Sequence, residues 1–217
     1  MADKAPHPLA EPGLWVERIG GRVFPAGQPA LFLDRDGTIN VDTDYPSDPA
    51  EIELRPQMLP AIAAANNAGI PVVVVTNQSG IARGYFGWSA FADVNRRVLE
   101  LLRDQGVVVD MVLACAYHEA GVGPLGISDH PMRKPNPGML FEAAKRLDLD
   151  LRRSVIVGDK LADMEAGLGA GLPQGWLVDG EAQLRSGFFV IRPLRDSSDL
   201  DGLLAAIGRL DGRDKRS

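Results

Sequence analysis

The sequence predicts an α/β protein in which helices pack on both faces of one parallel, doubly wound sheet, within a single domain. Short apolar runs at 30–33, 70–75, 107–114 and 154–157 alternate with stretches of helical periodicity, the pattern of repeated strand–helix units. Several of these runs end directly in acidic or hydrogen-bonding side chains. Ligands of open α/β sheets bind at the edge where parallel strands end, so we expect a functional site there.

Length and composition suit one globular domain with a substantial core, because the chain has 217 residues of which 45% are hydrophobic. The formal net charge of −6 disfavours nucleic acid as the main partner. Cys115 is the single cysteine, so no disulfide can form within the chain, which suits a reducing cytoplasm. No apolar run is long enough for a membrane span and the first residues lack the apolar core of a signal peptide. We therefore expect a cytoplasmic protein without a membrane partner, and favour a monomer.

Residues 1–29 are expected to be an N-terminal extension, disordered up to Pro12. Its remainder would pack on the domain as an arm, through the apolar side chains of Leu14, Trp15, Val16, Ile19, Val23 and Phe24. The domain itself is expected to cover 30–210, followed by a charged tail at 211–217.

The first strand of the domain, at 30–33, runs directly into Asp34 and Asp36. Alternate residues of a strand face the same side, so both carboxylates should project together, and Gly37 lets the chain turn sharply. Two adjacent carboxylates repel each other unless a cation lies between them or a proton is shared. The pair therefore indicates a Mg²⁺ site in which one carboxylate is also a nucleophile, although Asp-x-Asp-Gly occurs in plain surface turns as well.

A polar loop and a helix lead to the central strand. The loop 40–46 leaves the acidic turn directly, so it either rims the site or is an ordinary solvated loop. Residues 56–69 have a proline near the first turn and a glycine at the end, which favours a helix. The β-branched run 70–75 predicts a strand that is buried on both faces.

The central strand ends in Thr76-Asn77-Gln78-Ser79-Gly80, whose side chains can bind an oxyanion. Arg83 in the same loop can contact a substrate or be a surface charge. A helix is expected at 88–105, with Ser89 as its N-cap and its apolar stripe in the core. Another strand follows at 107–114.

The loop 115–132 contains Cys115, His118 and His130, which resemble half of a zinc site. Four good ligands within reach of one another are not evident, so an unmetallated loop is the alternative. Arg133 and Lys134 come next, at a place in the chain where they can meet a phosphate dianion or lie on the surface.

Asn136 is expected to cap the following helix, which ends at Leu147. The apolar run 154–157 then ends in Gly158-Asp159, and Asp163 follows one helical turn later. Outer strands are expected at 177–179 and 188–191. Ser197 or Ser198 is expected to cap the final helix.

Four motifs in this order resemble those of the haloacid dehalogenase superfamily of phosphatases, whose core is a Rossmann-like sheet. They are Asp34-x-Asp36-Gly37-Thr38, a strand ending in Thr76, Lys134, and Gly158-Asp159-x3-Asp163. The stretches 34–40, 75–84, 133–139 and 157–164 are similar to one branch of that superfamily. This branch contains the D-glycero-D-manno-heptose 1,7-bisphosphate phosphatases and the related histidinol-phosphate phosphatases, and the resemblance covers about residues 30–180.

The resemblance implies that Asp34 attacks phosphorus and forms an aspartyl-phosphate. Asp36 would protonate the leaving oxygen and then activate water. Mg²⁺ would be held by Asp34, the backbone carbonyl of Asp36 and Asp159, with Asp163 supporting the metal or a lysine.

Thr76 and Lys134 would bind the oxygens of the transferring phosphoryl group. The segments between the motifs leave no room for a large cap domain, so the site should be open. The residues expected to contact substrate around it are Asp42, Tyr45, Asn77, Gln78, Ser79, Arg83 and Arg133. Arg133 is the first candidate for holding a sugar or a second phosphate.

The chain departs from this branch in its N-terminal extension and in one loop. Relatives usually hold a structural zinc in that loop through Cys-x-His and Cys-x-Cys. Here Cys115 is kept, Tyr117 stands in place of the histidine, and His130 and Met132 replace the later pair. We expect that zinc is lost, or is held weakly through Cys115, His118 and His130.

The expected activity is Mg²⁺-dependent hydrolysis of a small sugar phosphate resembling heptose 1,7-bisphosphate, within lipopolysaccharide heptose biosynthesis. Histidinol phosphate or another small phosphomonoester is the alternative substrate. A non-catalytic protein that binds metal and phosphate on the same fold is the alternative from a different class. A phosphomutase fits less well, because it would need a cap to keep water from its intermediate.

Overall fold

The computed structural model describes residues 7–180 and 185–210, so the expectations for residues 1–6 and for the tail 211–217 lie outside it. The strands are β1 (Leu9–Glu11), β2 (Leu14–Arg18), β3 (Leu31–Leu33), β4 (Val72–Asn77), β5 (Met111–Cys115), β6 (Val155–Gly158), β7 (Gln174–Val178), β8 (Arg185–Ser186) and β9 (Phe189–Leu194). The helices are α1 (Leu59–Asn67), α2 (Ser79–Ala82), α3 (Trp88–Asp104), α4 (Gly138–Leu147), α5 (Leu161–Gly169) and α6 (Ser197–Leu210).

All strands join one sheet in the order β1-β2-β5-β4-β3-β6-β7-β9-β8. Six neighbouring strands of this sheet are parallel: β5, β4, β3, β6, β7 and β9. At its edges β1, β2 and β8 are added in antiparallel orientation. The parallel part confirms the predicted doubly wound sheet. It also places the ends of β3, β4 and β6 side by side, which is where the acidic and donor-rich motifs begin.

The central strands are buried on both faces, as their continuous apolar sequence predicts. Leu31 and Leu33 of β3 pack into a core cluster with α1, α3 and α6, whereas Phe32 between them packs into a second cluster with α4 and α5. Alternate residues of the strand thus supply the two hydrophobic layers. The helices on both faces fix β3, and with it the position of the acidic turn.

The N-terminal segment is an edge of the sheet. The expectation of disorder up to Pro12 is wrong for β1, which pairs with β2, and β2 pairs in turn with β5. Leu14, Trp15 and Val16 are buried in the core, as expected of apolar residues in this segment. Val23, by contrast, is 86% exposed, so its predicted packing is wrong.

The expected cap of α3 is wrong. The helix begins at Trp88 with Gly87 in the N-cap position and without a side-chain cap. Ser89 therefore lies inside the first turn, and its hydroxyl contacts the His7 ring instead. The helix is held in place by its apolar stripe, in which Phe91 and three further residues are buried, Val94, Val98 and Leu102.

The expected caps of α4 and α6 are also wrong. Asn136 lies one residue before the N-cap position of α4, and its amide donates to Asp129 and to the carbonyl of His130. In α6, the side chain of Asp196 accepts a hydrogen bond from the backbone N–H of Asp199 at 3.0 Å. That bond makes Asp196 the N-cap in place of either neighbouring serine. Within the described ranges, none of the helices combines the length and the apolar character needed to cross a membrane.

Candidate active site

The acidic turn after β3 depends on a glycine. Gly37 has φ of +82°, and a Cβ atom there would collide with the side chain of Asp159. Any other residue would be strained by the backbone conformation and would displace that carboxylate. Gly37 thus allows the ends of β3 and β6 to approach closely enough for their acidic side chains to meet.

Three carboxylates converge at this point. Asp34, Asp159 and Asp163 each offer an oxygen, and these oxygens lie within 4.8 Å of one another. The Oδ1 atom of Asp159 is buried without a hydrogen-bond partner. Hard carboxylate oxygens with an unsatisfied acceptor among them fit a divalent cation such as Mg²⁺.

Lys134 reaches this group from the loop before α4 and is only 4% exposed. Its Nζ atom lies 2.7 Å from Asp34 Oδ1 and 2.5 Å from Asp163 Oδ1, and it donates to the carbonyl of Val75 at 2.7 Å. Burial disfavours the ammonium, but Asp163 and Asp34 outweigh it and hold the pKa of Lys134 above its usual range.

Asp34 is buried at the centre of this arrangement. Burial raises the pKa of Asp34 to about 7, with Lys134 opposing the rise and Asp163 and Asp36 adding to it. A carboxylate in this position is therefore costly to ionise until a cation compensates it. The same position makes Asp34 the best placed nucleophile of the group, since it follows β3 directly and contacts Lys134.

Asp36 belongs to a separate network. Arg35 donates to both of its oxygens, from Nε at 3.0 Å and from Nη2 at 2.9 Å. Asn40 donates to Oδ1 at 3.0 Å and Gln78 to Oδ2 at 2.8 Å. Burial works against ionisation, but Arg35 and the two amides hold the pKa of Asp36 below its ordinary value. Arg35 was not expected in the site, although its place between two aspartates in a buried segment was an indication. Asn40 was expected only as part of the loop 40–46, not as a partner of Asp36.

The end of β4 connects the two networks. Gln78 also donates to the Thr76 hydroxyl at 3.0 Å. Asn77 donates to the carbonyl of Lys134 at 2.8 Å and accepts from its N–H at 3.1 Å. Asn77 and Gln78, both expected to bind substrate, thus also hold Lys134 and Asp36 in place.

These side chains face a cleft of about 500 Å³. The residues expected in the site that line it are Asp34, Asp36, Asp42, Tyr45, Thr76, Asn77, Gln78, Ser79, Arg83, Arg133, Lys134 and Asp163. Asp159 lines a second cleft, together with Gly37 of the acidic turn. His118 and Lys160 line the first cleft as well, the latter without having been expected there. The only indication in the sequence that Lys160 belongs to the cleft was its place directly after Asp159.

The rim of the cleft carries three cationic side chains. Lys160 donates to Asp42 at 3.2 Å. Arg83 lies 3.1 Å from the His118 ring, and Arg133 donates to the carbonyl of Tyr117 at 3.1 Å. None of them is paired with Asp34 or Asp163, the carboxylates that hold Lys134, but Lys160 also lies 3.5 Å from Asp159 Oδ2.

The zinc candidates do not meet. Cys115 is buried, and burial raises the pKa of its thiol to about 12. His118 contacts Arg83, and the His130 ring stacks on Tyr117. Over 7–180 and 185–210, the aspartate group is the only set of three His, Cys, Asp or Glu side chains close enough for a metal. The residues of this loop therefore do not fit a zinc ion.

A family model described as HAD-hydrolase-like matches residues 131–185. The chain is 81% identical, over 100% of both sequences, to D-glycero-beta-D-manno-heptose-1,7-bisphosphate 7-phosphatase of Mesorhizobium japonicum. It is 41% identical to the protein of the same name from Pasteurella multocida, over 69% of this chain and 80% of the relative.

Two solved structures extend this comparison. A HAD-like phosphatase from Mesorhizobium loti superposes with a TM-score of 0.94 at 82% identity, over 97% of this chain and all of the other. D,D-heptose 1,7-bisphosphate phosphatase from B. bronchiseptica, complexed with magnesium and phosphate, superposes with a TM-score of 0.67 at 33% identity, over 84% of this chain and 98% of the other. With its motifs and fold in agreement with these relatives, the chain belongs to the D-glycero-D-manno-heptose 1,7-bisphosphate phosphatase family of haloacid dehalogenase-like hydrolases.

Proposed function

We propose that the protein is a Mg²⁺-dependent phosphatase that removes the 7-phosphate from D-glycero-beta-D-manno-heptose 1,7-bisphosphate through an aspartyl-phosphate intermediate. The observation that carries the proposal is the convergence of Asp34, Lys134 and the carboxylates of Asp159 and Asp163, of which Asp34, Lys134 and Asp163 line an open cleft. The names of the relatives with 81% and 41% identity support the choice of substrate and of anomer.

In the first step, an Asp34 oxygen attacks phosphorus and the bond from phosphorus to the sugar oxygen breaks. The departing oxygen takes a proton so that the sugar leaves as an alcohol; Asp36 would supply it, which requires its carboxyl to be protonated in the substrate complex against the bidentate contact with Arg35. Lys134 contacts Asp34 directly and would neutralise charge on the phosphoryl oxygens. A Mg²⁺ held by Asp34, the carbonyl of Asp36 and Asp159 would add further charge neutralisation.

In the second step, water cleaves the aspartyl-phosphate and regenerates Asp34. Asp36, now ionised, accepts the proton that the water releases. The bidentate contact with Arg35 favours this ionised form and fixes the direction of the carboxylate. Thr76 is positioned beside the same network through Gln78 and would bind a phosphoryl oxygen.

The rim of the cleft suits a substrate with a second phosphate. Arg83, Arg133 and Lys160 line the same cleft as Asp34 and carry positive charge. Guanidinium groups bind phosphate oxygens through parallel hydrogen bonds, whereas the ammonium group of histidinol phosphate cannot accept such bonds and is repelled by a cationic rim. A sugar bisphosphate is therefore favoured over histidinol phosphate.

The test is phosphate release with Mg²⁺ from both anomers of heptose 1,7-bisphosphate, histidinol phosphate and an aryl phosphate. We expect a preference for the beta anomer, with turnover lost in Asp34→Asn and kept in Asp48→Asn. Asp48 is a matched control, because its carboxylate caps a surface turn at Ala50 and does not line the cleft. Equal, weak turnover of all substrates would reject the heptose substrate, and Asp34-independent release would reject the mechanism.

The cytoplasmic location, the monomeric state, the lack of a nucleic-acid or membrane partner and the domain limits at 30–210 stay predictions. Fractionation of cells and light scattering of the purified protein test the first two directly.

A further inference from the structure

The loop between β5 and α4 contains an aromatic stack that is enclosed on both sides. The rings of Tyr117 and His130 lie parallel, with centroids 3.7 Å apart and an interplanar angle of 19°. A Cβ atom built on Gly13 would lie 2.6–2.8 Å from three ring atoms of Tyr117, so Gly13 covers the other face of that ring. Tyr117 is 4% exposed as a result. The stack therefore requires a residue without a side chain at position 13.

Glu11 contacts both rings of the stack. The Tyr117 hydroxyl donates to Glu11 Oε2 at 3.2 Å, and His130 Nε2 lies 3.9 Å from the same oxygen. His130 Nδ1 accepts a hydrogen bond from the N–H of Met132, so in the neutral ring the proton is on Nε2 and faces Glu11. His130 Nδ1 is thus held by a hydrogen bond, while Nε2 lies near the Glu11 carboxylate without a hydrogen bond to it.

The residues that hold the stack are themselves anchored to the sheet. Glu11 pairs with Leu14 across the β1–β2 turn, and Leu14 pairs with Cys115 at the end of β5. The N–H of Ala116 donates to the carbonyl of Gly13 at 2.8 Å, which continues this ladder by one step. The N-terminal strands therefore present Glu11 and Gly13 to the loop from a rigid base.

The stack in turn holds a residue of the cleft. Arg133 donates from Nη1 to the carbonyl of Tyr117 at 3.1 Å, and its backbone N–H donates to the carbonyl of His130 at 2.9 Å. One contact fixes the guanidinium and the other fixes the backbone. Both partners of Arg133 are members of the stack, so its position at the rim depends on the stack.

We propose that Glu11, Gly13, Tyr117 and His130 form a metal-free N-terminal clip, which fastens the loop between β5 and α4 and positions Arg133 for substrate binding. Of the three zinc candidates Cys115, His118 and His130, the clip uses His130 in its aromatic stack. The clip also gives the N-terminal strands a role in the active site. Only its effect on a second phosphate rests on the proposed function.

Amide hydrogen exchange of the full chain tests the clip without substrate. We expect Glu11→Ala and Gly13→Ala to speed exchange over 117–133 about tenfold or more, because the loop loses its anchor. The controls are Glu17→Ala, whose carboxylate accepts from Trp15 on β2, and Gly21→Ala, where a Cβ atom meets nothing within 4 Å. Unchanged exchange in both clip variants would overturn the proposal.

Elemental analysis tests the absence of zinc in the same preparations. We expect far less than one zinc per chain and exchange over 117–133 that a chelator does not alter. A full equivalent of zinc, with protection of the loop that disappears on its removal, would overturn the clip in favour of a metal site.

Steady-state kinetics test the positioning of Arg133. We expect Glu11→Ala to raise KM for the bisphosphate about fivefold or more while kcat changes less than about twofold, since binding and not chemistry is affected. KM for an aryl phosphate, which has no second phosphate, should stay constant. Faster exchange with an unchanged bisphosphate KM would reject the positioning of Arg133. Failure of the heptose substrate would leave the exchange and zinc results standing, so the two proposals can fail separately.

Discussion

Lys134 is a buried cation that contacts two buried carboxylates, Asp34 and Asp163. Removing one partner from such a group leaves uncompensated charge in the interior. We expect Lys134→Met to lose about 3–5 kcal/mol of unfolding free energy at pH 8. Urea denaturation measures this loss, with Lys145→Met on the exposed side of α4 as the matched control. Equal stability of the two variants would contradict a stabilising role for the Lys134 charge.

The affinity for Mg²⁺ should depend on the ionisation of Asp34. The raised pKa of Asp34, about 7, means that the protonated side chain stabilises the metal-free fold and that this contribution is lost as the pH rises through 7. Mg²⁺ requires the ionised form, so its affinity should rise about tenfold between pH 6 and pH 8.

Calorimetric titration with Mg²⁺ at several pH values measures this dependence. Asp34→Asn should bind Mg²⁺ weakly and with a smaller rise over the same pH range, because no proton leaves residue 34 and only the Asp159 carboxyl, whose pKa burial also raises, remains to titrate. A constant affinity of the unaltered protein from pH 6 to pH 8 would show that Asp34 is already ionised in the metal-free state.

The sequence predicted which residues converge at the acidic turn better than it predicted how they are held. Asp34 and Asp36 were recognisable because the side chains of a strand alternate and the motif order matches the order of strand ends. Arg35, by the same alternation, should point away from Asp36. Its long side chain instead turns back along its neighbour, over the ring of Phe91, and such a turn is decided by the surrounding packing.

At the scale of elements, α6 begins in a run of three possible caps. Asp196, Ser197 and Ser198 are all favourable N-cap residues, so the local sequence does not determine at which residue the helix begins. The structure selects Asp196, and the side chain of Asp199 accepts in return from the N–H of Arg195 at 3.0 Å. The apolar face of α6 was correctly predicted, and it was this pattern that indicated a helix here.

The cap assignment leads to a paired stability prediction. We expect Asp196→Ala to lower the unfolding free energy by about 1 kcal/mol, because the N–H of Asp199 loses its acceptor. Ser197→Ala should change it much less, and neither substitution should change kcat. Thermal denaturation and phosphate release measure both effects. A larger loss in Ser197→Ala would contradict the cap.

The edge strands were harder to predict than the central ones. β3, β4 and β6 are continuous apolar runs, and that composition indicates burial on both faces without knowledge of the partners. β1 and β2 are short and partly polar, and they are ordered through pairing with β5, about 100 residues away in sequence. Such pairing is not encoded locally, which is why an ordered edge was mistaken for a partly disordered extension.

At the scale of the whole molecule, the charge around the cleft is opposite in sign to the net charge of the protein. The chain has a formal net charge of −6, yet Arg83, Arg133 and Lys160 stand around the cleft and Lys134 lies within it. An anionic substrate is therefore repelled by the protein as a whole and attracted at short range by the rim. Because the helices and strands of the described residues form no cap domain over the cleft, the rim charges act through water and are open to screening by salt.

The open, cationic rim predicts that salt weakens binding of a bisphosphate more than binding of a monophosphate. The Debye length falls from about 10 Å at 0.1 M to about 3 Å at 1 M salt, which removes the attraction of exposed charges but hardly affects buried Lys134. We expect KM for the sugar bisphosphate to rise several-fold over this range, with kcat nearly constant. KM for an aryl phosphate, held mainly by Lys134 and the metal, should rise less.

Arg83→Gln should reduce the difference between the two substrates, whereas Arg96→Gln on the exposed face of α3 should leave it unchanged. An equal effect of salt on both substrates would mean that the rim does not bind the second phosphate, and that substrate selectivity arises from contacts with the sugar.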